Sequence, residues 1–516
     1  MLERRWFILP VLSGALLVLA FYPYDVWPLT FVALAPLFYF VAAFPNRPAW
    51  QVFLGGCIAG GMLALSLSLG AVVEFRWSAD QQFFITAVRL SFFLVAALGG
   101  VCTGIALLIY RALRSDSLLH NSLLGAVLYV TGELLLYSLY GGYNFALLGY
   151  AAAEVPVLMA FGAVGGLFLV SFLIAWGNAL LAEAPQHWAR RPAVALGVVP
   201  LYVIGVLCVG AVLYARAPEA GGQSISVASI QFGDDANPQR LIGREYDGVF
   251  SLSALEPWLR EASKNKSNLV VYPFSPSRGV LYDDKKPVLK YDLSVASADS
   301  VAAWFAQQLP AGTTALVWAS YYQNDLLYNE LQTYKDGALA AEYRKRSLFP
   351  FFDYTPRWAQ HAGLSTISEE ITPGGAGQQF TIAGREVAGA ICSEVYGQDE
   401  VRTDAQRSSV IVSVGSESFF GTTVRVYSLR AARFRAVENN LPVIRANVLG
   451  PSAIIRADGS LMAYAGIGES TLLRGEIVLA DTSPTFFSRF GNAPLLGFFA
   501  VIFAAGLLRR WYNAAL

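Results

Sequence analysis

Charge is what this chain of 516 residues has least of. Only 14% of its residues are Asp, Glu, Lys or Arg, against about 25% in ordinary soluble domains. With 55% hydrophobic residues and a mean hydropathy of +0.46, a disordered chain and a purely water-soluble domain are both excluded, and a membrane protein is expected. The 37 basic and 37 acidic residues cancel, so no concentrated basic surface is available for phosphate backbones and no nucleic-acid partner is expected. Cysteine is also rare. Cys57, Cys102, Cys208 and Cys392 form no paired spacing, which leaves zinc ribbons, CxxC redox motifs and a disulfide framework without support. Histidine occurs at 120, 187 and 361 alone, and the first two fall among apolar runs. Neither a metal nor a cofactor is expected.

What is abundant is apolar sequence. Runs suited to crossing a bilayer lie near 7–22, 27–44, 53–73, 84–110, 122–140, 156–182, 194–215 and 490–508, eight in all. Each approaches or exceeds the roughly 17 to 25 residues that span a hydrocarbon core. Arg4 and Arg5 precede the first run as in a signal peptide, but no small-residue cleavage site follows Phe21-Tyr22-Pro23, so it is read as a retained helix. Arg47, Arg111, Arg114, Arg190, Arg191, Arg509 and Arg510 all fall in loops on the N-terminal side, whereas the opposite short loops hold little beyond Arg76. The positive-inside rule then puts both termini in the cytoplasm and residues 216–486 outside, the periplasm of a two-membrane bacterium. Within the apolar runs, Glu133 is a substrate contact or a hydrogen-bond partner between helices, and Arg89 snorkels to the interface. Gly141 through Glu154 is too polar for lipid-facing helix and reads as an interfacial or re-entrant loop.

From Ser224 the periodicity changes. Ser224–Gln231, Asn268–Tyr272, Thr314–Ala319, Glu386–Ile391 and Ser408–Val414 read as strands, with helical patterns at Val249–Lys264, Val301–Leu309 and Val424–Asn439 between them. Strands alternating with helices imply a layered α/β domain. Cys392 is the one thiol of this segment and directly follows an apolar strand, a position that can expose a nucleophile at a sheet edge. It needs cationic neighbours and a base. A Cys-His pair would require His361, which nothing around it supports, whereas the run Tyr343-Arg344-Lys345-Arg346-Ser347-Leu348-Phe349-Pro350, continuing to Asp353, offers a lysine and an acid.

These residues resemble the nitrilase superfamily, and the whole chain resembles the apolipoprotein N-acyltransferase family. The likeness is carried, in order, by Phe21 through Pro28, the Tyr-x-Lys-x-x-Leu-x-Pro-Phe run ending in Tyr354-Thr355-Pro356, Ile391-Cys392-Ser393-Glu394, Phe419-Phe420-Gly421, Arg435-Ala436-Val437-Glu438 and Arg445-Ala446-Asn447. It implies an α-helical bundle of eight transmembrane helices with an external nitrilase-like αββα sandwich domain inserted before the last helix. The domains are then 1–215, 216–486 and 487–516. By resemblance Cys392 is the nucleophile that takes a fatty acyl chain from a phospholipid, Lys345 stabilises the oxyanion, and Asp353 and Glu394 match the family's further acids. The acyl acceptor would be the N-terminal amine of a lipoprotein, and a monomer is expected. The pocket departs from the family where Tyr272-Pro273-Phe274 replaces Trp-Pro-Glu, removing the usual general base. Ser347, Ser393 and Ser416-Glu417 replace a histidine, a tyrosine and Asn-Asp. The competing expectations are acyl transfer to another amine, amide hydrolysis, and a catalytically impaired protein that binds lipid or lipoprotein. The aromatic run Leu348–Tyr354, with Phe419 and Phe420, is expected to rim the site facing lipid.

Overall fold

A backbone in hydrocarbon has to satisfy its own hydrogen bonds, so the apolar runs become helices. The structure, a computed structural model, describes residues 6–72, 82–144, 146–216, 222–233, 252–273, 280–282, 298–363, 370–376, 378, 380–417, 420–481 and 484–515. Phe274, Phe419 and Arg76 lie outside them. The chain divides into one unit of residues 1–73, 89–217 and 485–516 and a second of residues 74–88 and 218–484.

In the first unit, among the described residues, six helices are long and apolar enough to cross a membrane: Ala49–Ala71, Arg89–Leu113, Leu118–Leu139, Gly162–His187, Pro192–Ala215 and Ala493–Tyr512. Ile8–Ala20 and Trp27–Ala42 are shorter apolar helices. The second of these is broken near Leu34, where one helix ends at Ala33 and the next starts at Ala35. Asn178 spans the break: its Oδ1 accepts from the Leu34 and Ala35 N–H groups (2.8 and 3.1 Å), and its Nδ2 donates to Thr30 O and Ile174 O. Backbone left over by the interruption is thereby satisfied inside the bundle. Close packing comes from small residues. A Cβ on Gly56 would stand 2.6 Å from Gly104 Cα, and one on Gly104 would stand 2.7 Å from Phe53 O, so the helices carrying them touch backbone to backbone.

Polar residues in this unit are paired inward. Arg114 Nη2 donates to both Glu183 oxygens at 2.9 Å, joined by the Tyr110 hydroxyl and by Asn121 Nδ2. Glu133 is buried and accepts from Leu148 N–H at 2.7 Å, while Ser171 Oγ accepts from Gly149 N–H at 2.8 Å. These two side chains hold the irregular stretch after Leu139, where Leu148–Glu154 forms a 3₁₀ helix. Glu133 therefore works as a hydrogen-bond partner between elements. Arg89 is exposed.

The second unit is built on two sheets. Its strands are β1 (Gly222–Gln231), β2 (Leu269–Tyr272), β3 (Val280–Tyr282), β4 (Thr314–Gln323), β5 (Leu326–Lys335), β6 (Ala338–Arg344), β7 (Thr381–Ile382), β8 (Arg385–Ile391), β9 (Val410–Ser416), β10 (Val443–Val448), β11 (Ser452–Ile455), β12 (Leu461–Ala465) and β13 (Thr471–Ala480). One sheet runs β13-β1-β2-β4-β5-β6, with β3 beside β4, and the other runs β12-β11-β10-β9-β8-β7. Alternation decides the layers. Val227, Val271 and Leu316 of the first sheet share one buried cluster with Val387, Val412 and Ile444 of the second. The neighbouring Ala228, Val270 and Val317 turn the other way, onto Leu255, Leu259, Val301 and Phe305 of the helices Leu252–Lys264 and Ala298–Gln308. Helices Gln398–Ala405 and Thr422–Asn439 pack on the second sheet.

The expected strands at 224–231, 268–272, 314–319, 386–391 and 408–414 coincide with β1, β2, β4, β8 and β9 to within a few residues. β5, β6 and β10–β13 had no counterpart among the expected elements. The helix expected from Val249 is described from Leu252.

Candidate active site

The site is assembled from two strand ends. β6 ends at Arg344, whose guanidinium Nε donates to the buried Glu330 at 2.8 Å. The next residue, Lys345, is fixed by its own N–H to Asn329 O (2.8 Å) and by its carbonyl, which accepts from Gly374 N–H (2.8 Å). The chain then folds into a tight turn. Asp353 N–H donates to Phe349 O at 2.9 Å, and Asp353 Oδ2 accepts from Phe349 N–H at 2.7 Å. The turn swings the carboxylate back, so that Lys345 Nζ reaches Asp353 Oδ2 at 2.5 Å, with Lys345 2% and Asp353 7% exposed. An ammonium held this way cannot dissipate its field into water.

The second strand end carries the thiol. The parallel ladder of β8 with β9 closes at Ile391 opposite Val414, and Cys392 follows with φ +54°, opening a 3₁₀ turn over Cys392–Tyr396. A residue with a Cβ in this left-handed region is strained. Space for it comes from Gly415 on the adjoining strand, where a Cβ would stand 2.8 Å from Cys392 Cα. Glu394 then ties both strand ends together. It accepts from Ile391 N–H (2.8 Å), Arg346 N–H (2.7 Å) and Ser347 N–H (3.0 Å), and from the Tyr343 hydroxyl at 3.2 and 3.3 Å. Burial raises its pKa above the ordinary carboxylate value, opposed by these backbone donors and by Lys345.

The field around the sulfur has identifiable sources. Burial pushes the Cys392 thiol up to about 11; Lys345 pulls it down, while Glu417 and Asp353 push it further up. Glu417 itself is 2% exposed and is clamped by Arg445, whose Nη2 donates to its oxygens at 2.8 and 2.9 Å, and by Ser428 Oγ at 2.6 Å. The half-buried Phe349 and Phe352 form an aromatic cluster with the buried Phe420: Phe349–Phe352, Phe349–Phe420 and Phe352–Phe420 centroids lie 5.1, 6.2 and 4.9 Å apart. Among the described residues, no three His, Cys, Asp or Glu side chains gather as a metal-binding group.

The thiol, the buried ammonium and the carboxylate thus stand at strand ends of the two different sheets. Residues 13–180 match the apolipoprotein N-acyltransferase N-terminal domain, and residues 250–485 match the carbon-nitrogen hydrolase family. Along the full chain it is similar to apolipoprotein N-acyltransferases of Pseudomonas paraeruginosa (26% identical, covering 98% of this chain and 96% of that one) and Azotobacter vinelandii (27%, 98% and 95%). A third, from Rhodopseudomonas palustris, is 25% identical over 98% of this chain and 95% of its own. The chain belongs to the apolipoprotein N-acyltransferase family. It is a bacterial membrane protein with a nitrilase-like domain.

Against this family background, the structure brings Lys345 and Asp353 into direct contact and sets both within electrostatic reach of Cys392. Glu394 is engaged by backbone donors on both strand ends. Phe274, where the resemblance expects the family's general base, is outside the described residues. The sequence places Ser416-Glu417 among the pocket's departures from the family and Arg445 in a separate motif, with nothing to pair the two. β9 pairs in parallel with β10, Ser413 opposite Arg445, and that register is what brings Glu417 to the arginine.

Proposed function

We propose that this protein is a membrane-bound acyltransferase that moves a fatty acyl group from a phospholipid, through a thioester on Cys392, to the N-terminal amine of a lipoprotein. The observation that carries the reading is the buried Lys345–Asp353 pair beside a thiol held at a strained strand end. In the first half-reaction Sγ attacks the ester carbonyl of the phospholipid. Lys345 Nζ stabilises the oxyanion, and the bond to the glycerol oxygen breaks. The sulfur's proton passes to Asp353 and from there to the departing alkoxide, so lysophospholipid leaves as the alcohol. In the second half-reaction the neutral amine attacks the thioester carbonyl, the C–S bond breaks as the amide forms, and the proton lost by the amine passes through Asp353 to the departing sulfur. Glu394 acts as a positioning residue, since its oxygens are committed to backbone donors.

The resting thiol near 11 makes thiolate scarce at neutral pH, consistent with a general base missing at Phe274. Losing such a base slows a reaction by a factor of about 10² to 10⁴. That same observation favours the second reading, an impaired member of the family that binds lipid or lipoprotein without turning it over. The two shorter apolar helices, Ile8–Ala20 and Trp27–Ala42, complete a bundle of eight in this proposal. The two sheets and their covering helices form the αββα sandwich, with domains 1–215, 216–486 and 487–516. The protein is a monomer of the bacterial inner membrane with the sandwich in the periplasm.

Incubating the full-length protein with phospholipid is expected to add one acyl mass, labile to hydroxylamine, absent in Cys392→Ala and reduced in Lys345→Ala. Phe274→Glu restores the family carboxylate and is expected to speed the acylation. A folded protein that acquires no adduct, either in its native form or as Phe274→Glu, leaves only the binding reading.

A further inference from the structure

In the helical unit, the helix ends border an open cavity of about 1080 Å³. It is lined by the turn Ser115–Leu119, by His187, Arg190 and Arg191 with Val194 and Val198 beyond them, and by Leu508, Arg509, Trp511 and Tyr512. Three arginines face one acid, Asp116, so the lining carries an excess of positive charge. The acid neutralises little, because Arg190 and Asp116 stand 3.9 Å apart with both side chains largely in solvent. Arg509 Nη1 donates weakly to Ser115 Oγ at 3.4 Å, and among the described residues the Arg191 side chain has no hydrogen bond or ion pair. Two helices start at this cavity, Leu118–Leu139 and Pro192–Ala215, and their N-terminal N–H groups add to the positive potential.

We propose that this cavity binds the headgroup of an anionic phospholipid. The position decides between lipid and any soluble anion. It lies where apolar helices end, which is headgroup depth in a bilayer. Trp511 and Tyr512, 71% and 60% exposed, belong to the residue types that settle at that interface. Arginine forks are matched to phosphodiester oxygens. Below them, Val194 and Leu508 expose apolar surface that glycerol and the first acyl methylenes would cover and a free phosphate would not. The volume is far larger than one phosphate needs. The cavity's residues belong to the helical unit and Cys392 to the other, and the inference stands whether or not the protein acylates anything.

The test is native mass spectrometry of the full-length protein in detergent, titrated with phosphatidylglycerol, with phosphatidylcholine and with inorganic phosphate. Phosphatidylglycerol is expected to bind at least about tenfold more tightly than phosphatidylcholine, and millimolar phosphate should not displace it. Arg190→Gln, Arg191→Gln and Arg509→Gln combined should weaken phosphatidylglycerol by on the order of a hundredfold, with helical circular dichroism unchanged. Should the triple variant fail to fold, Arg191→Gln alone, which breaks no described contact, is expected to weaken binding by about fivefold. Equal affinity for the two lipids, or binding unaffected by the arginine variants, overturns the proposal. Displacement by phosphate reduces the cavity to a general anion site and overturns it equally.

Discussion

Cys392 combines two unfavourable conditions, a left-handed backbone and a partly buried, poorly solvated thiol, and both have consequences that a single residue change can read. Because burial, with Glu417 and Asp353, lifts the thiol to about 11, thiolate at neutral pH is scarce and grows with pH. Alkylation of Cys392, followed by mass spectrometry of its peptide, should therefore rise about tenfold per pH unit from 7 to 9 without a plateau. A rise that bends over between pH 8 and 9 would mark an ordinary thiol. The sources of the shift can be separated by sign. Glu417→Gln removes a negative charge and should speed alkylation at pH 8, while Lys345→Ala removes the ammonium and should slow it. The first change also leaves Arg445 buried with a weaker partner, at a cost of about 3 kcal/mol or more that a denaturant midpoint would register. Gly415→Ala brings a methyl to 2.8 Å from Cys392 Cα, so the strand or the turn has to shift. A loss of about 1 to 3 kcal/mol together with altered alkylation is expected.

At the scale of elements, Glu394 couples the end of β6 to the end of β8. Glu394→Gln keeps the size but loses acceptor capacity for the Ile391, Arg346 and Ser347 N–H groups, so Lys345 should lose its registry with Cys392. Any acyl transfer should fall without a change in the pH dependence of Cys392 alkylation. A change in that dependence instead would make Glu394 a member of the proton path. How far such couplings can be read in advance depends on the element. β8 and β9 are apolar runs ending in a singular residue, and both the strands and Cys392 were legible. β5 was not, because its buried positions include Glu330, Gln332 and Thr333, which blur the alternation of apolar and polar residues. Glu330 is satisfied by Arg344 Nε and Gln332 Nε2, contacts that only the folded sheet creates. The hairpin turns Asn324-Asp325 and Asp336-Gly337, all at positive φ, were the local signal that could have found β5 and β6. In the helical unit, the break at Leu34 was hidden for a similar reason, since Asn178 lies far along the chain. The glycine contact between Gly56 and Gly104 is the corresponding test there: Gly56→Val should lower the melting temperature in detergent, whereas Gly61→Val, which meets open space, should not.

For the molecule as a whole, the distribution of arginine sets the expectation. Arg47, Arg111, Arg114, Arg190, Arg191, Arg509 and Arg510 follow or precede apolar runs on one side, and Arg76 stands nearly alone on the other. Translocating a short basic loop is resisted, so the side richer in arginine stays in the cytoplasm. Three of these same arginines line the cavity at the helix ends, which ties the topology to the leaflet whose anionic lipid they would meet. If all eight apolar segments span, an even number returns the C-terminus to the side of the N-terminus and leaves residues 216–486 across the membrane. Reporter fusions at Leu516 and at Gly221 should then report opposite compartments, with the first cytoplasmic. These two reporters do not by themselves count the spans. Were the two shorter helices to lie in the interface instead of crossing, six crossings would still separate the two reporters, but a third fusion at Arg47 would still share the N-terminal side. A fusion at Asp25, between those helices, decides the matter: it should report the outer side if both cross, and the cytoplasm if neither does.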